Sequence, residues 1–203
     1  DPNVMLHRLF EEQGAVHAVL VDEAHNLVDR SREMFSAELA KEPVLELRRM
    51  LKQQQPGLYR ALGRINSWLA ECRRRCRQAG GVITDEELPE ELIMRLRAFL
   101  RMAERWLVQN IKTEFRENLL QFFFDSMRFV RVSEQYGPHY AVIMETGDDH
   151  DLLVKLFCLD PSSQLAQAWQ RCRAAVLFSA TLTPAEYFQK ILGCRPEAGR
   201  LNL

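Results

Sequence analysis

Along the chain the spacing of apolar positions changes several times, and each change marks a different kind of element. After an opening stretch with helical spacing, Ala15-Val16-His17-Ala18-Val19-Leu20-Val21 is short, β-branched and apolar on both faces. Such a run predicts a strand buried in a parallel sheet. It stops at Asp22-Glu23-Ala24-His25-Asn26, and from about residue 30 to 130 the period is helical. Leu58, Leu62, Ile65, Leu69, Cys72 and Cys76 recur at alternating intervals of four and three, which places them on one helix face. Pro56-Gly57 and Gly80-Gly81 bound that helix. Thr84, followed by Asp85, Glu86 and Glu87, has a capping-box pattern. The helix it predicts carries Leu92, Leu96, Phe99, Ala103, Trp106 and Leu107. Phe115, Leu119, Phe122 and Phe123 predict a further amphipathic stretch.

Then the period shortens. Segments near 127–134, 139–146 and 152–158 read as strands, with Tyr136-Gly137-Pro138 and Gly147-Asp148-Asp149 as turns. Asp160-Pro161-Ser162 opens a helix to about Arg173. A second buried strand, Ala174 to Phe178, stops at Ser179-Ala180-Thr181-Leu182-Thr183-Pro184, and a last helix runs to Gly193. The expected fold class is therefore α/β, with two strands of one parallel sheet interrupted by a mostly helical insertion that holds a few strands. The expected division is 1–34, 35–150 and 151–203.

Composition narrows the picture. A chain of 203 residues, 47% hydrophobic and 27% charged, is long enough for one or two packed cores and is not disordered. No apolar run reaches the roughly 18–20 residues of a membrane helix, and DPNVMLHRLFEE is no signal peptide. Five irregularly spaced cysteines do not form a secreted disulfide framework, so a soluble intracellular protein is expected. The net charge of -1 conceals a basic stripe: residues 48–77 hold nine Lys and Arg against Glu71 alone. Residues 145–160 are acidic.

The stripe has two readings. It is a solvated helix face, or Arg60, Arg64, Arg73, Arg74, Arg75 and Arg77 contact the phosphates of single-stranded DNA. Cys72 and Cys76 sit one helical turn apart but on the apolar stripe, which favours core packing over metal binding. His17 reads as a packed or edge histidine, while His139 and His150 flank the acidic turn without a nameable partner. Trp68, Trp106 and Trp169 fall in helical patterns and read as core.

Chemistry concentrates where the two apolar strands stop, because ligands of open parallel sheets bind beyond the carboxyl ends of strands. Asp22-Glu23 ends one strand and Ser179-Ala180-Thr181 ends the other. Adjacent carboxylates after an apolar strand are the Walker B arrangement, in which the first holds magnesium and the second orients a water. The alternative is an acidic pair that caps the following helix.

Taken whole, VLVDEAHNL (19–27) resembles motif II, the DEAH box, of superfamily 2 helicases. VLFSATLTPAEYFQKILG (176–193) resembles motif III of the iron-sulfur branch related to DinG and XPD, and CLDPSSQLAQAWQRCRAAV before it fits the same branch. Asp1-Pro2 also resembles the family's segment ahead of motif II. The resemblance implies part of a RecA-like P-loop motor domain interrupted by an arch domain that helps enclose DNA. It implies ATP and magnesium as cofactors, with Asp22 on the metal, Glu23 activating water and His25 coupling nucleotide state to the motor. Ser179, Ala180 and Thr181 would link hydrolysis to DNA movement. No G-x-x-x-x-G-K-[ST] occurs in these residues. In the family that loop and the four cysteines of the iron-sulfur cluster lie upstream, and the second motor domain lies downstream. The expectation is thus a piece of a larger enzyme, inactive alone, whose partners are single-stranded DNA and the remainder of the helicase chain. The complete protein would move 5′ to 3′. A cytoplasmic location follows, bacterial in type given the short arch, or nuclear if eukaryotic. The alternative is an arch module that binds DNA or a partner without activity of its own.

Overall fold

The computed structural model describes residues 18–147 and 151–201. Asp1-Pro2, the opening helical stretch, Ala15, Val16, His17, Asp148, Asp149 and His150, all named above, lie outside the described residues. The chain is α/β and divides into two compact units, one taking the chain up to Phe35 and again from Cys158, the other running Ser36–Phe157.

In the first unit, β1 (Ala18–Val21) leads through a single 3-10 turn at Ala24–Asn26 into helix α1 (Leu27–Phe35). The second unit contributes β2 (Ala37–Ala40), α2 (Lys41–Leu51), α3 (Pro56–Gln78), β3 (Val82–Asp85), α4 (Glu90–Leu107), α5 (Arg116–Ser133), β4 (Tyr140–Glu145) and β5 (Leu153–Cys158). The chain then returns through α6 (Ser162–Gln170), β6 (Ala174–Leu177) and α7 (Ala185–Ile191).

β1 and β6 pair in parallel, with Ala18 opposite Ala174 and Val21 opposite Leu177. The two apolar stretches, far apart in sequence, are thus neighbouring strands. Their expected burial is not observed. Val19 is buried, but Leu20 is 69% exposed and Val176 51%, and Ala174 and Ala175 are exposed as well. A parallel sheet is covered only where further layers pack on its faces. The two-stranded sheet leaves much of this apolar surface open.

α6 starts where the Asp160 carboxylate accepts the Ser162 N–H at 2.9 Å, and it ends at Gln170, three residues before the expected Arg173. The Trp169 indole N–H donates to the Leu192 carbonyl at 2.7 Å, which ties α6 to the end of α7. Gly193 follows with φ +65°, against the first turn of α6.

The second unit builds its core between four helices and a four-stranded sheet of order β2-β5-β4-β3. The α3 stripe of Leu58, Leu62, Ile65, Leu69, Cys72 and Cys76 is buried as its spacing predicts. Leu92, Leu96, Phe99 and Ala103 of α4 are fully enclosed, and Trp106 nearly so. Phe99 meets Phe122 with ring centroids 5.1 Å apart, and Trp106 meets Phe115 at 4.9 Å. The strand expected near 127–134 is the last two turns of α5. Leu119, Phe122, Ser126, Phe129 and Ser133 keep one helical face buried through it, so packing overrides the local valine alternation. Thr84 does not cap a helix. It lies in β3 opposite Ile143, and α4 begins at Glu90 behind Pro89 with Glu90 and Glu91 in its first turn. β2, inside the stretch read as helical, pairs antiparallel with β5, Ala37 opposite Leu156. Because β5 completes this sheet, the second unit extends to Phe157 and not to residue 150.

None of the five cysteines is in a disulfide, and Cys72, Cys76 and Cys158 are buried. Burial pushes the Cys72 thiol up to about 12. Among the described residues no helix is long and apolar enough to cross a membrane.

Candidate functional site

The ladder between β1 and β6 continues one step past the strands. Phe178 N–H donates to the Val21 carbonyl at 3.0 Å, and Ala24 N–H donates to the Phe178 carbonyl at 3.1 Å. Between those two bonds the chain must turn out of the sheet, and it does so at Glu23, with φ 50° and ψ 43°. A left-handed backbone at a residue other than glycine is uncommon and costs energy. Here the flanking ties to Val21 and Ala24 hold it. The Asp22 carboxylate accepts the Glu23 N–H at 2.7 Å, and both acidic side chains are exposed.

Ser179 comes straight after Phe178, so the register of the sheet delivers its hydroxyl to the same spot. Ser179 Oγ lies 2.8 Å from His25 Nδ1 and 3.2 Å from Glu23 Oε2, and His25 Nδ1 is 3.2 Å from Glu23 Oε2. The Thr181 N–H donates to Ser179 Oγ at 3.3 Å, and the Thr181 hydroxyl is also 3.3 Å away. A serine hydroxyl offers one donor and two acceptor sites. The assignment that uses them all has His25 Nδ1–H and Thr181 N–H donating to Ser179 Oγ, and Ser179 O–H donating to Glu23. Ala180 is exposed between the two hydroxyl residues and adds no side-chain polar atom. The structure therefore brings Glu23, His25, Ser179 and Thr181 together in hydrogen-bond reach, with Asp22 beside Glu23. The chain is joined there by two sequence segments about 150 residues apart.

Such a cluster can position a proton acceptor. Glu23 is the only carboxylate with the serine and histidine on it among these residues, and it remains open to solvent. Asp22 presents hard oxygen ligands. Magnesium characteristically takes one or two carboxylates and keeps its other positions for water and phosphate oxygens. An exposed lone aspartate fits that donor set. Among the described residues, no group of three or more His, Cys, Asp or Glu side chains is placed to hold a metal by itself.

The six arginines lie in the second unit, on α3. At about 100° per residue, Arg60, Arg64 and Arg74 fall on the helix face away from the buried stripe, whereas Arg73 and Arg77 flank it on one side and Arg75 on the other. Arg60 donates to the Pro56 carbonyl at 3.3 Å, and the Arg64 carbonyl accepts from Arg95. Arg74 is paired with Glu71, at 2.6 Å at the closest, and Arg75 is exposed. Arg73 and Arg77 both reach Asp151, at 2.7 and 3.5 Å. The stripe is one run in sequence but is spread around the helix in space.

Asp151 and its third partner, Lys41, were not legible as a pair. Lys41 is only 4% exposed and its ammonium donates to the Asp151 carboxylate. The available signal was phase: Lys41 stands in register with Val44, Leu47 and Leu51 on the buried face of α2, and a buried lysine requires a counter-charge. Burial pushes the Asp151 carboxyl up, but the hydrogen bond and charge of Lys41 and the charge of Arg73 outweigh it and hold the group below the usual carboxylate range. A depressed acid stabilises the folded state above its unfolded pKa of about 3.9, and that stabilisation is lost as pH falls through the lower folded value. Asp151→Asn is expected to cost about 1–3 kcal/mol at pH 7. Urea melts of the two proteins should converge as the pH is lowered below 4, and a constant gap down to pH 2 would show that the charge is not what stabilises.

No protein-family model matches the chain, and no curated protein matches it.

Proposed function

We propose that this chain is a segment of an ATP-dependent DNA helicase of the DinG/XPD type, with a RecA-like motor sheet begun by β1 and β6 and an arch formed by the Ser36–Phe157 unit. What carries the reading is one observation: two strand ends with helicase-like sequences stand side by side, and Ser179 of one hydrogen-bonds Glu23 of the other. The exposed apolar surface of β1 and β6 supports it further, since a motor sheet has additional strands and covering helices.

In this reading, magnesium bound with ATP neutralises phosphate charge and polarises the terminal phosphoryl group. Asp22 would hold that ion through its exposed carboxylate. Glu23 accepts a proton from water, while the Ser179 hydroxyl, itself held by His25 and Thr181, fixes the carboxylate's orientation. Any displacement of Ser179 along β6 is felt at Glu23 through a single hydrogen bond, which is a direct route from bound nucleotide to the rest of the motor. The iron-sulfur cluster, single-stranded DNA, the remaining helicase chain and a cytoplasmic location belong to the same proposal.

The test is ATP turnover by the intact polypeptide in which this chain occurs. Magnesium-dependent hydrolysis stimulated by single-stranded DNA is expected, and Asp22→Asn should abolish it at millimolar magnesium. Turnover that ignores DNA or survives Asp22→Asn would overturn the reading.

A second reading, a DNA- or partner-binding module without activity of its own, is favoured by the compactness of Ser36–Phe157 and by its arginine-rich helix. Expression of that unit alone distinguishes the two. A cooperative fold that keeps all the DNA affinity of the whole chain would support the module.

A further inference from the structure

Arg73, Arg74 and Arg77 line an open hollow of about 540 Å³ on α3, together with Ala70 and Gln78. The Asp151 carboxylate engages the same arginines. One of its oxygens accepts from Arg73 Nη1 at 2.7 Å and from Lys41 Nζ, the other from Arg77 Nη2 at 3.5 Å. Glu42 accepts the Asp151 N–H, and Glu71 holds Arg74 through bonds of 3.1 and 2.6 Å. Lys41, Arg73 and Arg77 against Asp151 and Glu42 leave one positive charge in excess.

These contacts divide by burial. The Lys41 side chain is 5% exposed and needs Asp151 as its counter-charge, whereas the Arg73 and Arg77 side chains are 33% and 59% exposed and do not. Two guanidinium groups converging on a pair of carboxylate oxygens is a grip that phosphate oxygens also receive. Each guanidinium has five N–H donors, and Asp151 takes one from each.

We propose that this hollow is a phosphate site and that Asp151 is its built-in competitor, seated on Arg73 and Arg77 until a phosphate displaces it from them. Lys41 keeps its ion pair throughout. The identification of the phosphate as a phosphodiester of single-stranded DNA rests on the function proposed above. A free polyphosphate presents the same chemistry and serves as the second probe.

The experiment measures a fluorescent oligothymidylate by anisotropy over a salt series, and tripolyphosphate by calorimetry, with the 203-residue chain. Arg73→Gln/Arg77→Gln is expected to weaken oligonucleotide binding several-fold and to lower the salt slope by about one to two, as one or two lost phosphate contacts require. Asp151→Asn is expected to tighten it by about three- to tenfold at the same salt. If Asp151→Asn fails to fold, the double arginine variant decides, because it leaves the Lys41–Asp151 pair intact. Oligonucleotide binding that is measurable but indifferent to these variants, with tripolyphosphate equally indifferent, would overturn the site while leaving the helicase reading standing. Tripolyphosphate binding that follows the variants while oligonucleotide binding does not would keep the site and remove DNA as its source.

Discussion

Glu23→Gln is expected to lower ATP turnover by the intact polypeptide about 10²–10⁴-fold, the usual worth of a positioned general base. The amide keeps the size of the side chain and can still accept the Ser179 O–H, so the local geometry is retained while the basic oxygen is lost. Affinity for nucleotide should change little, because Glu23 is proposed to act on the attacking water and not on the phosphates. The loss should therefore appear in kcat with KM nearly constant. Ser179→Ala provides the companion measurement. It removes the hydroxyl that joins His25 and Thr181 to Glu23 and leaves the Glu23 side chain itself in place, so a smaller loss, about tenfold, is expected, together with weaker coupling of turnover to DNA. Turnover by Glu23→Gln within about twofold of the unsubstituted protein would remove Glu23 from the chemistry.

The largest stability effect is expected at Gly193. A Cβ there would lie 2.2 Å from the Ser162 carbonyl oxygen and 2.6 Å from the Ala166 nitrogen, which are the acceptor and donor of the first α6 turn. Backbone atoms cannot rotate aside as a side-chain tip can, so α6 or the end of α7 must move. The backbone at Gly193 is also left-handed, with φ +65°. Gly193→Ala should cost about 3 kcal/mol or more, the left-handed penalty and the overlap together. Trp169, whose indole bonds the neighbouring Leu192 carbonyl, reports on this region once Trp68 and Trp106 are replaced by Phe. The Trp169 transition should fall by several degrees, and an unchanged midpoint would mean that α6 does not pack on Gly193.

What the sequence disclosed and what it hid follow one physical line. The α3 stripe was readable because a long helix buries one face over many turns, and each repeat confirms the last. The strand ends were readable because Asp22 and Ser179 interrupt strongly apolar runs, a contrast visible without any knowledge of pairing. The missed strands, β2 and β3, have four residues each and lie at the two edges of their sheet, and so short an alternation does not stand out from the helical pattern around it. Phe129 to Val132 misled for the opposite reason: a strand-like alternation sits inside a helix whose core face is specified by residues on either side of it. Lys41 and Asp151 are separated by 110 positions, and only the fold brings them together. The sheet pairing of Leu20 and Val176 could be anticipated, but not their exposure, which depends on what packs over them.

The pairing of β2 with β5 has a consequence for how the molecule is assembled. The first and last strands of the Ser36–Phe157 unit lie against each other, so its two ends leave side by side. Once that unit has formed, the tether between β1 and β6 shrinks from about 150 residues to about 30, which reduces the entropy of closing it by on the order of 1 kcal/mol. The inserted unit thus acts as a clasp on its own host: once folded, it holds the two halves of the parallel pair within reach of each other, and a short turn in its place would do the same.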